Sequence, residues 1–238
     1  LASLDLEQVT LSIGGSVVSA TGRLLWDSEE VEATVTASGV PVEALQSALP
    51  LTATGSLHGV ATLSGTLDEP RAVVGFRIRD LAIEGEPAGL LVAELLLDGA
   101  SLGGRAELAG RLGLLDLNGA FDLESGELDA HLTASGLPLD VAQRYAHLPL
   151  AIRGTGMARA RLRGAWRRPE VQGELRAGDL YIDGQALPGE LVATVSSTPA
   201  GYHVEGRLAH VLRWEADLDP EPISVAADFT FEGLELHR

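Results

Sequence analysis

The chain has 238 residues, 45% hydrophobic and only 4% aromatic, which is enough for one large domain, or two ordinary ones, with an aliphatic core, and excludes disorder. It contains no Cys, and all seventeen basic residues are Arg. That excludes disulfides, thiolate zinc sites, a cysteine nucleophile, a Schiff-base lysine and a Walker-type lysine, while the formal charge of −17 argues against general nucleic-acid binding and whole-surface docking to anionic lipid.

From the N-terminus the dominant signal is alternation with a period of two. Leu4 and Leu6, then Leu11 and Ile13, stand between polar neighbours. The same pattern returns in Leu115, Leu117, Gly119, Phe121, Leu123, in Leu128, Ala130, Leu132, Ala134, in Ala158, Ala160, Leu162, and in Ile223, Val225, Ala227, Phe229, Phe231. Each run reads as a strand with one apolar and one wet face. Gly-, Pro- and Ser-rich breaks punctuate them about every 8–12 residues, giving roughly sixteen to eighteen short, mostly antiparallel strands. Pro41–Leu49 (PVEALQSAL) and Pro138–Leu148 (PLDVAQRYAHL) break the alternation and predict two short helices, each opened by Pro.

These helices expose an internal repeat. Thr36-Ala37-Ser38-Gly39-Val40-Pro41 recurs as Thr133-Ala134-Ser135-Gly136-Leu137-Pro138. Gly55 then matches Gly154, Leu63 Leu162, Gly65 Gly164 and Pro70 Pro169, with Gly75 aligned to Gly173 across one deletion. Asp80-Leu81-x-Ile83-x-Gly85 matches Asp179-Leu180-x-Ile182-x-Gly184, and Gly89 matches Gly189. The reading is one continuous β-repeat segment over 1–238, with repeats at about 31–127 and 128–238, one short helix per unit of ~100 residues, and 1–30 as the tail of a preceding repeat. No stretch of eighteen apolar residues spans a bilayer, and Leu1 begins no signal peptide, so the chain is expected to be part of a longer protein.

An apolar strand face must be covered. A closed, self-packed core does this; a long sheet folded on itself and open at one seam presents an aliphatic trough instead. The inward positions are Leu57, Ala61, Leu63, Val74, Phe76, Ile78, Leu81, Ile83, Leu91, Leu95, Leu97 and Leu108, continuing through Leu117, Phe121, Leu123 and Leu132. In the second repeat they are Ala160, Leu162, Leu175, Ile182, Leu191, Val195, Val204 and Leu208. The two helices are placed to plug or flank such a trough through Leu45, Leu49, Tyr145 and Leu148.

No catalytic or metal signature competes with this. The six His (58, 131, 147, 203, 210, 237) lack zinc-site spacing, no Gly-x-Ser-x-Gly elbow exists, and the acidic residues sit on outward strand positions, so no enzyme activity, cofactor or metal is expected. The cluster Arg153, Arg159, Arg161, Arg163, Arg167, Arg168 and Arg176 reads either as a headgroup or partner patch or as cross-strand pairs with Glu170, Glu174, Asp179 and Asp183, the latter preferred.

The segments LHGVATLSGTLDEP (57–70) with GFRIRDLAIEG (75–85), and MARARLRGAWRRP (157–169) with GELRAGDLYIDG (173–184), resemble the repeat grammar of the TamB and AsmA-like bacterial envelope proteins. The resemblance runs from about residue 1 to 233. It implies a β-taco, an elongated, curved sheet with a hydrophobic groove. It also implies a periplasmic body, an inner-membrane anchor elsewhere in the full protein, and transport of phospholipids, by their acyl chains, toward the outer membrane. Some members of the family resemble assembly factors that work with an Omp85-type barrel. The alternative from another class is a structural or chaperone-like β-scaffold that assists outer-membrane protein assembly by strand addition at its edges.

Overall fold

The computed structural model describes residues 3–13, 15–48, 52–140, 152–182, 184–187, 189–198, 201–208, 212–220 and 223–231. They form an all-β chain of sixteen strands. The first eight are β1 (Ser3–Ile13), β2 (Ser16–Leu25), β3 (Glu30–Pro41), β4 (Ala53–Gly65), β5 (Pro70–Ile83), β6 (Glu86–Asp98), β7 (Ser101–Gly110) and β8 (Gly113–Asp122). They are followed by β9 (Glu127–Pro138), β10 (Ile152–Ala165), β11 (Glu170–Ile182), β12 (Gln185–Ala186), β13 (Leu191–Ser197), β14 (Tyr202–Leu208), β15 (Leu212–Pro220) and β16 (Ile223–Phe231). Strand order in the single open sheet follows chain order, apart from the two-residue β12, which pairs with β11 alone. Short connections between antiparallel neighbours give this meander.

Two compact units make up the chain: Leu1–Arg111 with Asp116–Glu127, and Leu112–Leu115 with Leu128–Arg238. In the first, β5 and β6 are joined by a two-residue turn, Glu84-Gly85, both with positive φ (+51° and +80°). This geometry matches the twist of the flanking strands and explains the Glu-Gly pair. The first predicted helix is a single 3₁₀ segment, Val42–Ala48, between β3 and β4. In the second unit a helical turn starts at Leu139-Asp140, and the rest of 138–148 lies outside the described residues.

The repeat is written in the backbone. Gly39 and Gly136 share φ of +67° and +65°, and Gly55 and Gly154 share +147° and +152°. Asp80 and Asp179, both non-glycine, stand at +52° and +51°. In each unit the Gly and the Asp form the two sides of one irregularity: the β4–β5 register shifts around Gly55 and the β10–β11 register around Gly154, each beside its αL Asp. A Cβ on Gly55 would come within 2.9 Å of Ile78 Cγ2 and 3.0 Å of the Arg79 carbonyl oxygen. An inserted residue of this kind shifts strand parity, which is why Ile78 and Leu81, three apart, oppose Leu91 and Gly89 on one face.

The registers also correct one sequence equivalence. Val60 pairs with Gly75 and Ala61 with Val74, whereas Arg159 pairs with Glu174 and Ala160 with Gly173. The structural counterpart of Gly75 is therefore Glu174, and that of Gly173 is Val74. No deletion separates the repeats here, and the two glycines lie on opposite faces.

At one end of the first unit the turns are laced together. The Leu67 amide donates to the Glu29 carbonyl (3.1 Å), the Gly99 amide to Pro70 (3.0 Å) and the Leu123 amide to Ala100 (2.8 Å).

Candidate functional site: an apolar sheet face

Cross-strand register aligns the predicted inward residues into rows. In the first unit these are Leu63–Ala72–Leu97–Leu102, Ala61–Val74–Leu95–Gly104, Gly59–Phe76–Ala93–Ala106 and Leu57–Ile78–Leu91–Leu108, running across β4 to β7. Pairing through β3 and β2 continues them, as in Leu63–Ala33–Gly22 and Ala61–Val35–Ala20. In the middle rows large residues meet small ones, Phe76 between Gly59 and Ala93 and Leu95 beside Gly104, whereas the Leu57–Ile78–Leu91–Leu108 row is large throughout. A side chain at Gly104 would crowd this row, since its Cβ would lie 2.9 Å from the Glu94 carbonyl oxygen as well as 2.6 Å from Leu95 Cδ2. The second unit repeats the arrangement in Leu162–Val171, Ala160–Gly173–Val195–Val204, Ala158–Leu175–Ala193–Gly206 and Gly156–Ala177–Leu191–Leu208.

Burial along these rows is graded. At the end where the 3₁₀ segment folds over, Val42 is only 2% exposed, and Ala53, Ile78, Leu81, Ala88 and Leu108 are buried. Farther along, Leu57, Ala61, Leu63, Val74, Phe76, Leu91, Leu95 and Leu97 are half-buried, as are Ile83, Phe121 and Leu132. The second unit has the same plan. Leu139, which follows Pro138 as Val42 follows Pro41, packs in a buried cluster with Ala177 and Leu180, flanked by Ile152, Leu187, Leu191 and Leu208. Its Ala160, Leu162, Leu175, Val195 and Val204 are half-buried.

Not every expected residue joins the face. Leu123 lies in the turn after β8 and is 51% exposed, because the strand ends at Asp122. Leu117 follows the alternation of β8 yet is also exposed. Ile182 is in β11 opposite Ile152, with its side chain outside the described residues. Of the residues expected to plug or flank a trough, Leu45 is exposed, and Leu49, Tyr145 and Leu148 lie outside the described residues; the buried residue of the 3₁₀ segment is Val42.

The outward face is charged in pairs. Asp129 accepts from Arg161 (2.9 Å) and Arg163 (3.3 Å), Arg176 donates to Glu174, and Arg159 and Arg163 stand opposite Glu174 and Glu170 in register. Cross-strand pairing thus accounts for Arg159, Arg161 and Arg163, whereas Arg176 pairs along its own strand, two residues from Glu174. Asp129 lies on β9, the strand before β10, whereas the expected partners Glu170, Glu174, Asp179 and Asp183 all follow it in sequence. In the exposed turn after β10, Arg167 lies over the Trp166 ring, 5.6 Å from its centroid. Arg105 donates to Asp116 (2.7 Å), and this hydrogen bond holds the Asp116 carboxyl below the usual aspartate range. Backbone N–H groups of Ser125 and Glu124 do the same for Asp122, Ser125 most strongly.

His58 bridges Ser38 and Ser56 (3.3 Å each), His131 lies beside Asp129 and His203 beside Glu205. Among the described residues no group of three or more His, Asp or Glu is placed to hold a metal ion, and no helix is long and apolar enough to cross a membrane.

One feature escaped the alternation. Val60, Val73, Val92 and Leu96 occupy outward positions of β4 to β6 and are exposed, Val73 and Leu96 at 53% each. The signal was present in the consecutive apolar residues Val73-Val74 and Leu95-Leu96-Leu97, where both faces of a strand are apolar.

No family model matches the chain, and no curated protein or solved structure matches it.

Proposed function

We propose that this chain is a non-catalytic segment of a TamB-like periplasmic protein, and that its inward face holds phospholipid acyl chains in a groove on their way between inner and outer membranes. One observation carries the reading: the aligned apolar rows are aliphatic apart from Phe76, continuous across successive strands and, away from their buried end, only half-buried. Leaving such a surface wet costs about 25 cal/mol per Å², and acyl chains relieve that cost without a specific polar contact. A smooth aliphatic wall suits a ligand that slides, because neighbouring positions are nearly equal in energy. The buried ends at Val42 and Leu139 serve as the fixed part of each repeat. Interior charges block the path, the headgroup stays at the open side, and an Omp85-type partner and the inner-membrane anchor belong to other parts of the full protein.

The test is organic extraction of detergent-free protein followed by lipid mass spectrometry. Near-stoichiometric phospholipid, lost in a folded L63D/L162D variant, supports the groove. Lipid-free wild type, or lipid fully retained in that variant, overturns it.

A second reading, a scaffold that adds client strands, is favoured by one feature. In β1, which among the described residues pairs with β2 alone, Leu4, Leu6, Val9 and Leu11 are all exposed. Cross-linking of a client peptide along β1, with no lipid recovered, would favour it over the groove.

A further inference from the structure

The two repeats serve as each other's control. The outward positions Val60, Val73, Gly75 and Leu96 correspond by register to Arg159, Gln172, Glu174 and Ser196. The second unit is polar at all four positions, with Arg159 opposite Glu174; the first exposes three large aliphatic side chains around a glycine. Gly75 has nothing within 4 Å of where its Cβ would stand, and it floors a shallow cavity of about 510 Å³ between Val60, Val92, Arg77 and Glu94. The shared fold does not demand this patch, since the second unit forms the same pairings without it. Exposed apolar clusters of this kind mark interaction sites.

We infer that the outward face of β4 to β6 binds the same face of a second copy of this chain. The patch is self-complementary. Strands lie ~4.8 Å apart and same-face residues ~6.8 Å apart along a strand, so the neighbours of Gly75 form a rectangular grid whose two spacings differ by about 2 Å. Along β5 these neighbours are Val73 and Arg77; across it they are Val60 and Glu94. A two-fold axis lying in the interface along the grid diagonal exchanges the two directions. Arg77 then faces Glu94 of the second copy, Val60 faces Val73, and Gly75 meets Gly75, where the missing side chains allow close approach. Leu96 fills the space beside Val60 and His58 of the second copy. The sheets cross near 90°, one of the two preferred packings of sheet on sheet, and the contact is isologous, as closed dimers require. Arg105, opposite Glu94, gives its hydrogen bonds to Asp116, which leaves Glu94 available to Arg77 of the second copy.

Sedimentation velocity over a hundredfold concentration range tests this on the whole chain. Wild type dimerises, and V60R/V73Q/G75E/L96S, which copies residues the second repeat already carries, raises the dissociation constant by tenfold or more with unchanged circular dichroism. R77E and E94R each weaken the dimer, and together they restore it to within about threefold of wild type. A wild type that stays monomeric throughout overturns the inference. So does a dimer that survives the fourfold variant, or one that L4R in β1 abolishes while the fourfold variant does not. Bound lipid is unchanged in the fourfold variant, so this result and the groove reading stand or fall separately.

Discussion

Asp80 and Asp179 hold the same left-handed backbone conformation in the two repeats, each next to a leucine that is buried while the aspartate itself is exposed. An L-residue with a β-branched side chain pays about 1–2 kcal/mol there, whereas Asp is tolerated and Gly is strain-free. Asp80→Val is therefore expected to lower stability in urea by that amount, and Asp80→Gly to leave it within ~0.5 kcal/mol of wild type. Equal stability of the two variants would remove the bulge as the reason for the aspartate.

Leu81 and Leu95 mark the buried end and the half-buried stretch of one face. Leu81 is 6% exposed, and truncation to Ala is expected to cost about 2–4 kcal/mol. Leu95 is half-buried, and in detergent- and lipid-free protein its truncation is expected to cost about 1 kcal/mol or less. Urea midpoints of the two variants decide the matter. A Leu95→Ala penalty as large as that of Leu81→Ala would mean that the rows are closed over.

The acid limb of stability carries a signature of Arg105. The folded pKa of Asp116 is depressed by its hydrogen bond from Arg105, so the contribution is present above the ordinary aspartate value of about 3.9 and disappears as pH falls through the folded value. Carboxyl titration by NMR should show Asp116 and Asp122 ionising below the ordinary aspartate value. Arg105→Gln should return Asp116 toward the ordinary range and leave Asp122 unmoved, because backbone amides hold the latter. Parallel movement of both would contradict the separate causes.

Asp129 receives two arginines on an exposed face, and such pairs contribute little. Asp129→Asn is expected to cost less than about 1 kcal/mol, and less again in high salt. A larger, salt-independent loss would give Asp129 a buried structural role.

Much of this architecture could be read from period two alone. Leu57, Ala61 and Leu63, or Val195 and Val204, need only alternation to be placed on a shared face. The repeat was legible through its glycines, yet the reason for Asp80 was not, because an inserted residue looks like a turn until the partner strand is known. The same blindness produced the Gly75–Gly173 alignment: both are glycine, but only register shows that they face opposite ways. Leu123 looked like one more step of β8, since nothing in its own identity marks the turn. The helix at 41–49 was expected from Pro41 and its apolar spacing, and these do not distinguish 3₁₀ from α over seven residues. Val60, Val73 and Leu96 were passed over because alternation assigns one face to each strand and assumes that the other is wet.

The hydrogen bonds from Leu67 to Glu29, Gly99 to Pro70 and Leu123 to Ala100 give the first unit a selvedge, an edge woven so that it does not fray. Hairpin tips are ordinarily where amides exchange fastest and where proteases first cut. Here a tip cannot lift without releasing its neighbour, so opening one turn costs part of the next. Slow-exchanging amides at Leu67, Gly99 and Leu123, and a proteolytic pattern that spares these turns, are what such an edge produces. It also keeps the strand ends in register while the half-covered face between them stays free.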